Sequence, residues 1–283
     1  MCELSTGLSD TGHSAVRFRR VGHNGEVSSL SAARCDVWWA APALASPALL
    51  DLLDEAERAR HARFRLPADR DRYAVGRALA RLLCARAAGC HPREVSFLLR
   101  CGHCDRPEPH GKPHPAGPAE GWEVSVTHSG ERVGVALSRG LPVGLDVERV
   151  ADRDLDGLVS YTLTDRERAA LDALAPAERP AGFFTYWARK EALLKATGQG
   201  LAGGLTSVEV SGPHADPAVL EWRGPAAPDR VQLVDLDAGD GYRAALAVLA
   251  PSPVTVAVHD AAPLLGAPQR ACVSGTGLSE AAR

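Results

Sequence analysis

Between Trp122 and Val150 the chain reads "WEVSVTHSG", "RVGVALSRG" and "LPVGLDVERV", three runs of strand-forming residues separated by short polar turns. Connections this short leave room only for antiparallel neighbours, because parallel strands need a crossover of a dozen residues or more. The pattern predicts an antiparallel meander. Its third run sets Asp146 and Glu148 two apart, so both carboxylates leave one face while Leu145 and Val147 take the other. Two acids on one face repel, and one tends to hold a proton unless a cation lies between them. Magnesium relieves the repulsion by taking one or two carboxylates and filling its shell with water and substrate phosphates. A solvent-facing edge strand with two exposed acids is the alternative.

A third acid bears on that choice. Over residues 181–197 the spacing predicts a helix on which Phe184, Trp187, Glu191, Leu194 and Gly198 share one stripe, so Glu191 falls on the side meant for burial. A lone buried carboxylate is costly. Lys195, four residues on, would contribute only about 0.3–0.5 kcal/mol as a surface pair, too little to offset desolvation. A metal ion or a buried cation is the better partner. Lysine is scarce here, and Lys190, Lys195 and Lys112 all sit near these acids or in the compact "HGKPH" segment. Acids for a metal and lysines for phosphate suit phosphoryl-transfer chemistry. Neither a P-loop nor a kinase motif set is present.

The rest of the sequence frames these residues. "CDVWWAAPAL" predicts a strand and a proline turn. "SPALLDLLDEAERARHARF" and "DRDRYAVGRALARLLCARAAG" predict helices, the second stopped by Gly89, and "REVSFLLR" a strand. Residues 101–121 are dense in Pro and Gly and predict a long loop dividing the halves. After "LTDRERAALDAL" and the Glu191 helix, "LTSVEVSG", "AVLEW", "RVQLVDL" and "GYRAALAVLA" predict strands. Helix, glycine, strand recurs as "GRALARLLCARAAGCHPREVSFLL" and "YWARKEALLKATGQGLAGGLTSVEV", which suggests two similar halves with a cleft between them. The expected organisation is a loosely ordered extension (1–34), an N-terminal half (35–121), a C-terminal half carrying the acids (122–262) and a loose tail (263–283).

Composition narrows the partners. The 283 residues are 45% hydrophobic and 24% charged, a globular balance, and a net charge of −3 argues against nucleic acid or a membrane surface as partner. No run approaches the ~20 apolar residues of a membrane span, and "MCELSTGLSD" lacks a signal layout, so the expected location is cytoplasmic. Seven cysteines are odd in number and predict reduced thiols. "CGHC" at 101–104, with His103, His110 and His114 nearby, has zinc-like spacing but no second Cys pair, and a reduced loop is preferred.

Four ordered motifs carry a family resemblance: "GKP" (111–113), "VSVTHSG" (124–130), "VGLDVERV" and, some forty residues later, "WARKEALLKATGQGL". Together they resemble the phosphopantetheinyl transferases, and their spacing and the chain length point to the broad-specificity surfactin-synthetase-activating type, monomeric, rather than the short trimeric holo-acyl-carrier-protein synthases. The resemblance implies an α+β fold, a pseudo-twofold pair of similar α/β halves with coenzyme A in the cleft between them. It implies transfer of the 4'-phosphopantetheine arm of coenzyme A to a serine of apo acyl or peptidyl carrier protein domains in polyketide or nonribosomal peptide biosynthesis, with release of adenosine 3',5'-bisphosphate.

Carried over residue by residue, Asp146, Glu148 and Glu191 are the expected Mg2+ ligands. Glu191, or a water it holds with Glu148, is the expected base, and Lys195 the counter-charge at the pyrophosphate. Thr127 and His128 are expected at the 3'-phosphate, although Ser125 and Thr127 stand where the family has Asn and Ser. Lys112, Arg60, Arg72 and Arg77 resemble positions that hold the adenine-side phosphates, a solvated helix face being the alternative for the arginines. Lys190 matches the motif with a less defined part in cofactor binding. An inactive module that binds coenzyme A or carrier domains is the competing function, and a metal-dependent phosphohydrolase would leave the "THS" and "GKP" blocks unexplained.

Overall fold

The computed structural model describes residues 33–100, 111–151, 155–223 and 227–266. The first half runs β1 (Ala33–Ala40), α1 (Pro47–Leu50), α2 (Glu55–Arg63), α3 (Pro67–Ala88), β2 (Ser96–Arg100), β3 (Lys112–Ala116), β4 (Trp122–Ser129) and β5 (Arg132–Arg139). The second runs β6 (Val143–Arg149), α4 (Asp156–Thr162), α5 (Asp165–Asp172), α6 (Arg179–Thr197), β7 (Val208–Val210), β8 (Val219–Trp222), β9 (Gln232–Leu236) and β10 (Tyr242–Val248). β11 (Val254–Asp260) and α7 (Ala262–Gly266) follow. No helix among the described residues is long and apolar enough to cross a membrane.

Each half packs one long helix on one sheet, an α+β arrangement. Val75, Leu79 and Leu82 of α3 share a core with Val124 of β4 and Val133 and Val135 of β5. In the second half Phe184, Ala188 and Ala192 of α6 share a core with Val208, Trp222 and Ala245. The sheets run β11-β1-β5-β4 and β6-β10-β9, so first strand, last strand and penultimate strand lie in the same order in both. Pro67 and Pro180 fix the first turns of α3 and α6, and Gly89 and Gly198 end them at φ 69° and 75°, where a side chain would be strained.

The repeat extends to buried charges. Asp54 caps α2 in a capping box with Glu57, and Thr164 caps α5 in a capping box with Glu167. Glu57 receives Arg81 at 2.7 Å, and Glu167 receives Lys190 at 2.5 Å; each cation lies on its long helix eight residues ahead of the terminal glycine. The cations also satisfy loop carbonyls, Val95 for Arg81 and Thr162 and Leu205 for Lys190. Identity between the halves is slight, yet one electrostatic latch serves both.

Four expectations change. The meander ends after β5, because β1 occupies the other edge of β5 (Val37 opposite Ala136) and β6 crosses to pair with β10 (Asp146 opposite Ala245). The expected loop 101–121 contains β3, whose Pro113 and Pro115 alternate, so both missing N–H groups fall on one edge of a two-stranded ribbon. The first predicted helix breaks at Asp51–Asp54, where Asp54 restarts it as a cap. The tail expected from 263 begins as α7, with Leu265 buried. Strand β11, in which Val254, Val256 and Val258 alternate, and helix α4 add to the expected elements. Cys101, Cys104, His103 and His110, and the termini 1–32 and 267–283, lie outside the described residues.

Candidate active site

The acids meet because β6 and α6 lie against one another without side chains between them. Gly144, Asp146 and Glu148 alternate onto the face of β6 that meets α6. A Cβ on Gly144 would stand 2.0 Å from the carbonyl oxygen of Ala192 and 2.4 Å from the nitrogen of Ala196, so the helix backbone rests on the strand where only glycine fits. Ala192 and Ala196 are both buried, and their small side chains allow the close contact. Glu191 and Lys195, one turn apart on α6, are thereby brought to Asp146.

Lys195 Nζ donates to Asp146 Oδ1 at 2.6 Å, to the Leu145 carbonyl at 3.2 Å and to Thr127 Oγ1 at 3.4 Å. Burial alone would lower the lysine pKa, but Asp146, Glu191 and Glu148 together raise it above the ordinary value, so it is an ammonium. Burial raises the pKa of Asp146, against the opposing pull of Lys195 and Thr127. Burial and then the charges of Asp146 and Glu191 push Glu148 up to about 7. Glu191 is raised by burial and by Asp146, with Lys195 opposing. Asp146 Oδ2 and Glu191 Oε1 are buried without a hydrogen-bond partner.

Carboxylates with two unsatisfied buried oxygens have the donor chemistry that a hard divalent ion takes. The residues fit such an ion chemically. Among the described residues no three His, Cys, Asp or Glu side chains are grouped closely enough to hold a metal ion as they stand. Lys195 donates to Asp146 Oδ1 and leaves Oδ2 without a partner.

Strand β4 supports the acids through side-chain hydroxyls. Ser125, Thr127 and Ser129 alternate towards β6, and their oxygens accept the N–H groups of Leu145 (2.9 Å), Val147 (3.2 Å) and Arg149 (3.1 Å). Thr127 Oγ1 also donates to Asp146 Oδ1 at 3.3 Å, and Ser129 Oγ to Glu148 Oε2 at 2.9 Å. The hydroxyl comb joins the edges of the two sheets. Thr127, expected to share a phosphate with His128, is therefore turned to Asp146, since neighbouring strand residues face opposite ways.

His128 stands exposed at the end of β4. Partial desolvation by the protein around the ring, then Lys195 and Arg72, lower its pKa, so the imidazole has positive neighbours. Arg72 reaches from α3 to the Gly130 carbonyl at 2.9 Å and pairs with Asp69 at 2.6 Å. Arg72 and Lys195 thus bring positive charge to the His128 side of the acids.

Three residues expected at the cofactor have other partners. Lys190 is fully buried and donates to Glu167, Thr162 and Leu205, so its charge is spent inside the second half. Arg77 pairs with Glu57 at 2.5 Å and lies over the Phe97 ring at 4.6 Å. Lys112 binds the Ala196 carbonyl at 3.1 Å and Glu123 at 3.2 Å, tying β3 to the C-terminal end of α6 where a cation is favoured. In each case an acid or a helix end claims the cation. Arg60 is exposed on α2. Sequence reasoning passed over Ser129 and the packing role of Gly144; the i, i+2, i+4 spacing of Ser125, Thr127 and Ser129 was the available signal.

A family model described as "4'-phosphopantetheinyl transferase superfamily" matches residues 142–247, from the start of β6 to the end of β10. The 4'-phosphopantetheinyl transferase HetI of Nostoc sp. is 31% identical over 172 residues, 60% of this chain and 69% of its own. The 4'-phosphopantetheinyl transferase psf-1 of Bacillus pumilus is 30% identical over 182 residues, 64% and 73% of the two chains. A 4'-phosphopantetheinyl transferase of Bacillus subtilis is 29% identical over 149 residues, 52% and 61%. The chain therefore spans 61% to 73% of the lengths of these three relatives.

Proposed function

This chain belongs to the 4'-phosphopantetheinyl transferase superfamily, and from that premise we propose that it moves the 4'-phosphopantetheine arm of coenzyme A to a serine of apo acyl or peptidyl carrier protein domains. Adenosine 3',5'-bisphosphate is the other product. The observation that carries the reading is the meeting of Asp146, Glu148, Glu191 and Lys195 where β6 and α6 touch.

Asp146, Glu148 and Glu191 are the side chains that would hold Mg2+, which supplies charge neutralisation at the pyrophosphate when bound. Lys195 balances the buried acids and presents its ammonium to the leaving phosphate. Glu191, or a water held between it and Glu148, takes the proton of the attacking serine. His128 and Arg72 are suited to the 3'-phosphate, and Arg60 lies free to meet the adenine-side phosphates. Lys112, Lys190, Arg77 and Thr127 act on the fold around the site instead.

Two halves supplied by one chain favour a monomer of the surfactin-synthetase-activating type, acting in the cytoplasm on polyketide or peptide synthase carrier domains. The test is mass spectrometry of apo carrier domains incubated with the protein, coenzyme A and Mg2+. The account expects the carrier to gain the phosphopantetheine mass, and Glu191→Gln to abolish the gain. A folded protein that binds coenzyme A but modifies no carrier would instead be a binding module.

A further inference from the structure

Each acid of the β6 pair is held by its own hydroxyl from β4. Ser129 Oγ accepts the Arg149 N–H and donates to Glu148 Oε2, so a single atom fixes both the strand edge and the carboxylate next to it. Thr127 does the same for Val147 and Asp146. Ser125, the third member of the comb, bonds the Leu145 N–H, and the residue beside Leu145 on the acid face is Gly144, which has no side chain to orient.

The comparison separates two effects within one structural element. All three hydroxyls join the strands, but only Thr127 and Ser129 touch an acid. Of these, Thr127 also meets Lys195, whereas among the described residues Ser129 is the one side-chain hydrogen-bond donor to Glu148. Glu148 is half-buried and repelled by Asp146 and Glu191, so without that donor it has reason to rotate towards solvent. We propose that Ser129 is a positioning residue: its hydroxyl keeps Glu148 turned to Asp146 and Glu191 so that the three acids can hold a divalent ion together.

This inference rests on the transferase reading, which supplies the metal. Groups that orient metal-binding carboxylates typically affect affinity by 10–100-fold. The experiment follows free Mn2+ by electron paramagnetic resonance during titration of the full chain with coenzyme A present, in parallel with thermal melts. Ser129→Ala is expected to weaken Mn2+ binding about tenfold, and Ser129→Thr, which keeps the hydroxyl and suits a strand, to restore it. Ser125→Ala removes a rung of the same comb and is expected to lower the melting temperature while leaving Mn2+ affinity at the wild-type value.

Wild-type affinity in a folded Ser129→Ala protein would overturn the proposal. So would equal weakening by Ser125→Ala, which would assign the effect to the joining of the strands. If Ser129→Ala does not fold, Ser129→Thr against Ser129→Val makes the same comparison with two side chains of equal shape. A wild-type protein that binds no Mn2+ even with coenzyme A would overturn the metal reading itself, and the proposal with it.

Discussion

Gly144→Ala should separate the two halves of the catalytic constellation without touching any charged residue. The added Cβ would lie 2.0 Å from the Ala192 oxygen and 2.4 Å from the Ala196 nitrogen, whereas ordinary contact begins at 3.4 Å. Both obstructing atoms are helix backbone and cannot rotate away, so α6 must retreat by on the order of 1 Å. The 2.6 Å contact between Lys195 and Asp146 then passes beyond hydrogen-bond range. Overpacking costs about 3 kcal/mol at a rigid site, and loss of a charge-assisted hydrogen bond adds about 1.5 kcal/mol or more.

A stability loss of about 4.5 kcal/mol is expected by urea denaturation followed through tryptophan fluorescence. Carrier modification should fall about 100-fold in the fraction that remains folded, as for other displacements near 1 Å. Gly140→Ala is the comparison: Gly140 has φ 65° but nothing within 4 Å of its added Cβ, so its cost is confined to turn strain of about 1 kcal/mol. If Gly144→Ala matched Gly140→Ala in stability and kept its activity, the close contact between β6 and α6 would not be what assembles the site.

Other consequences follow from the buried charges. Lys190→Met should lower stability by about 3–5 kcal/mol, because it strands Glu167 in the core, while coenzyme A affinity by calorimetry stays unchanged. A stable Lys190→Met protein with impaired coenzyme A binding would return this lysine to the cofactor site. Glu148 titrates at about 7 when folded against an ordinary 4.5, so the native state holds its proton more tightly than the unfolded chain. That contribution is complete below about pH 4.5 and is lost as pH rises through 7, a change of up to about 3 kcal/mol. In metal-free protein, urea melts between about pH 4.5 and 7.5 should show this decline, and Glu148→Gln should flatten it; an undiminished slope in the variant would place the titration elsewhere.

Much of this arrangement was legible in the chain because burial and charge conflict there. Asp146 and Glu191 fall on apolar patterns, and an acid on such a pattern signals a compensating cation. The long helices were equally plain, with Pro67 and Pro180 at their starts and Gly89 and Gly198 at their ends. What the pattern could not settle was pairing. A glycine turn at Gly140 brings β6 next to β5 in sequence, but whether they pair depends on β1, about a hundred residues earlier, having taken that edge. Lys190 and Lys195 posed the same difficulty. Both follow the motif, yet their fates are set by Glu167 and Asp146, which only the folded chain brings to them.

Calorimetric titration of coenzyme A into the protein, with and without Mg2+, tests the central claim most directly. If Asp146, Glu148 and Glu191 hold an ion that meets the pyrophosphate, Mg2+ must tighten coenzyme A binding in the wild type and leave Asp146→Asn unaffected. Equal affinity with and without Mg2+ in the wild-type protein would contradict the assignment of these acids.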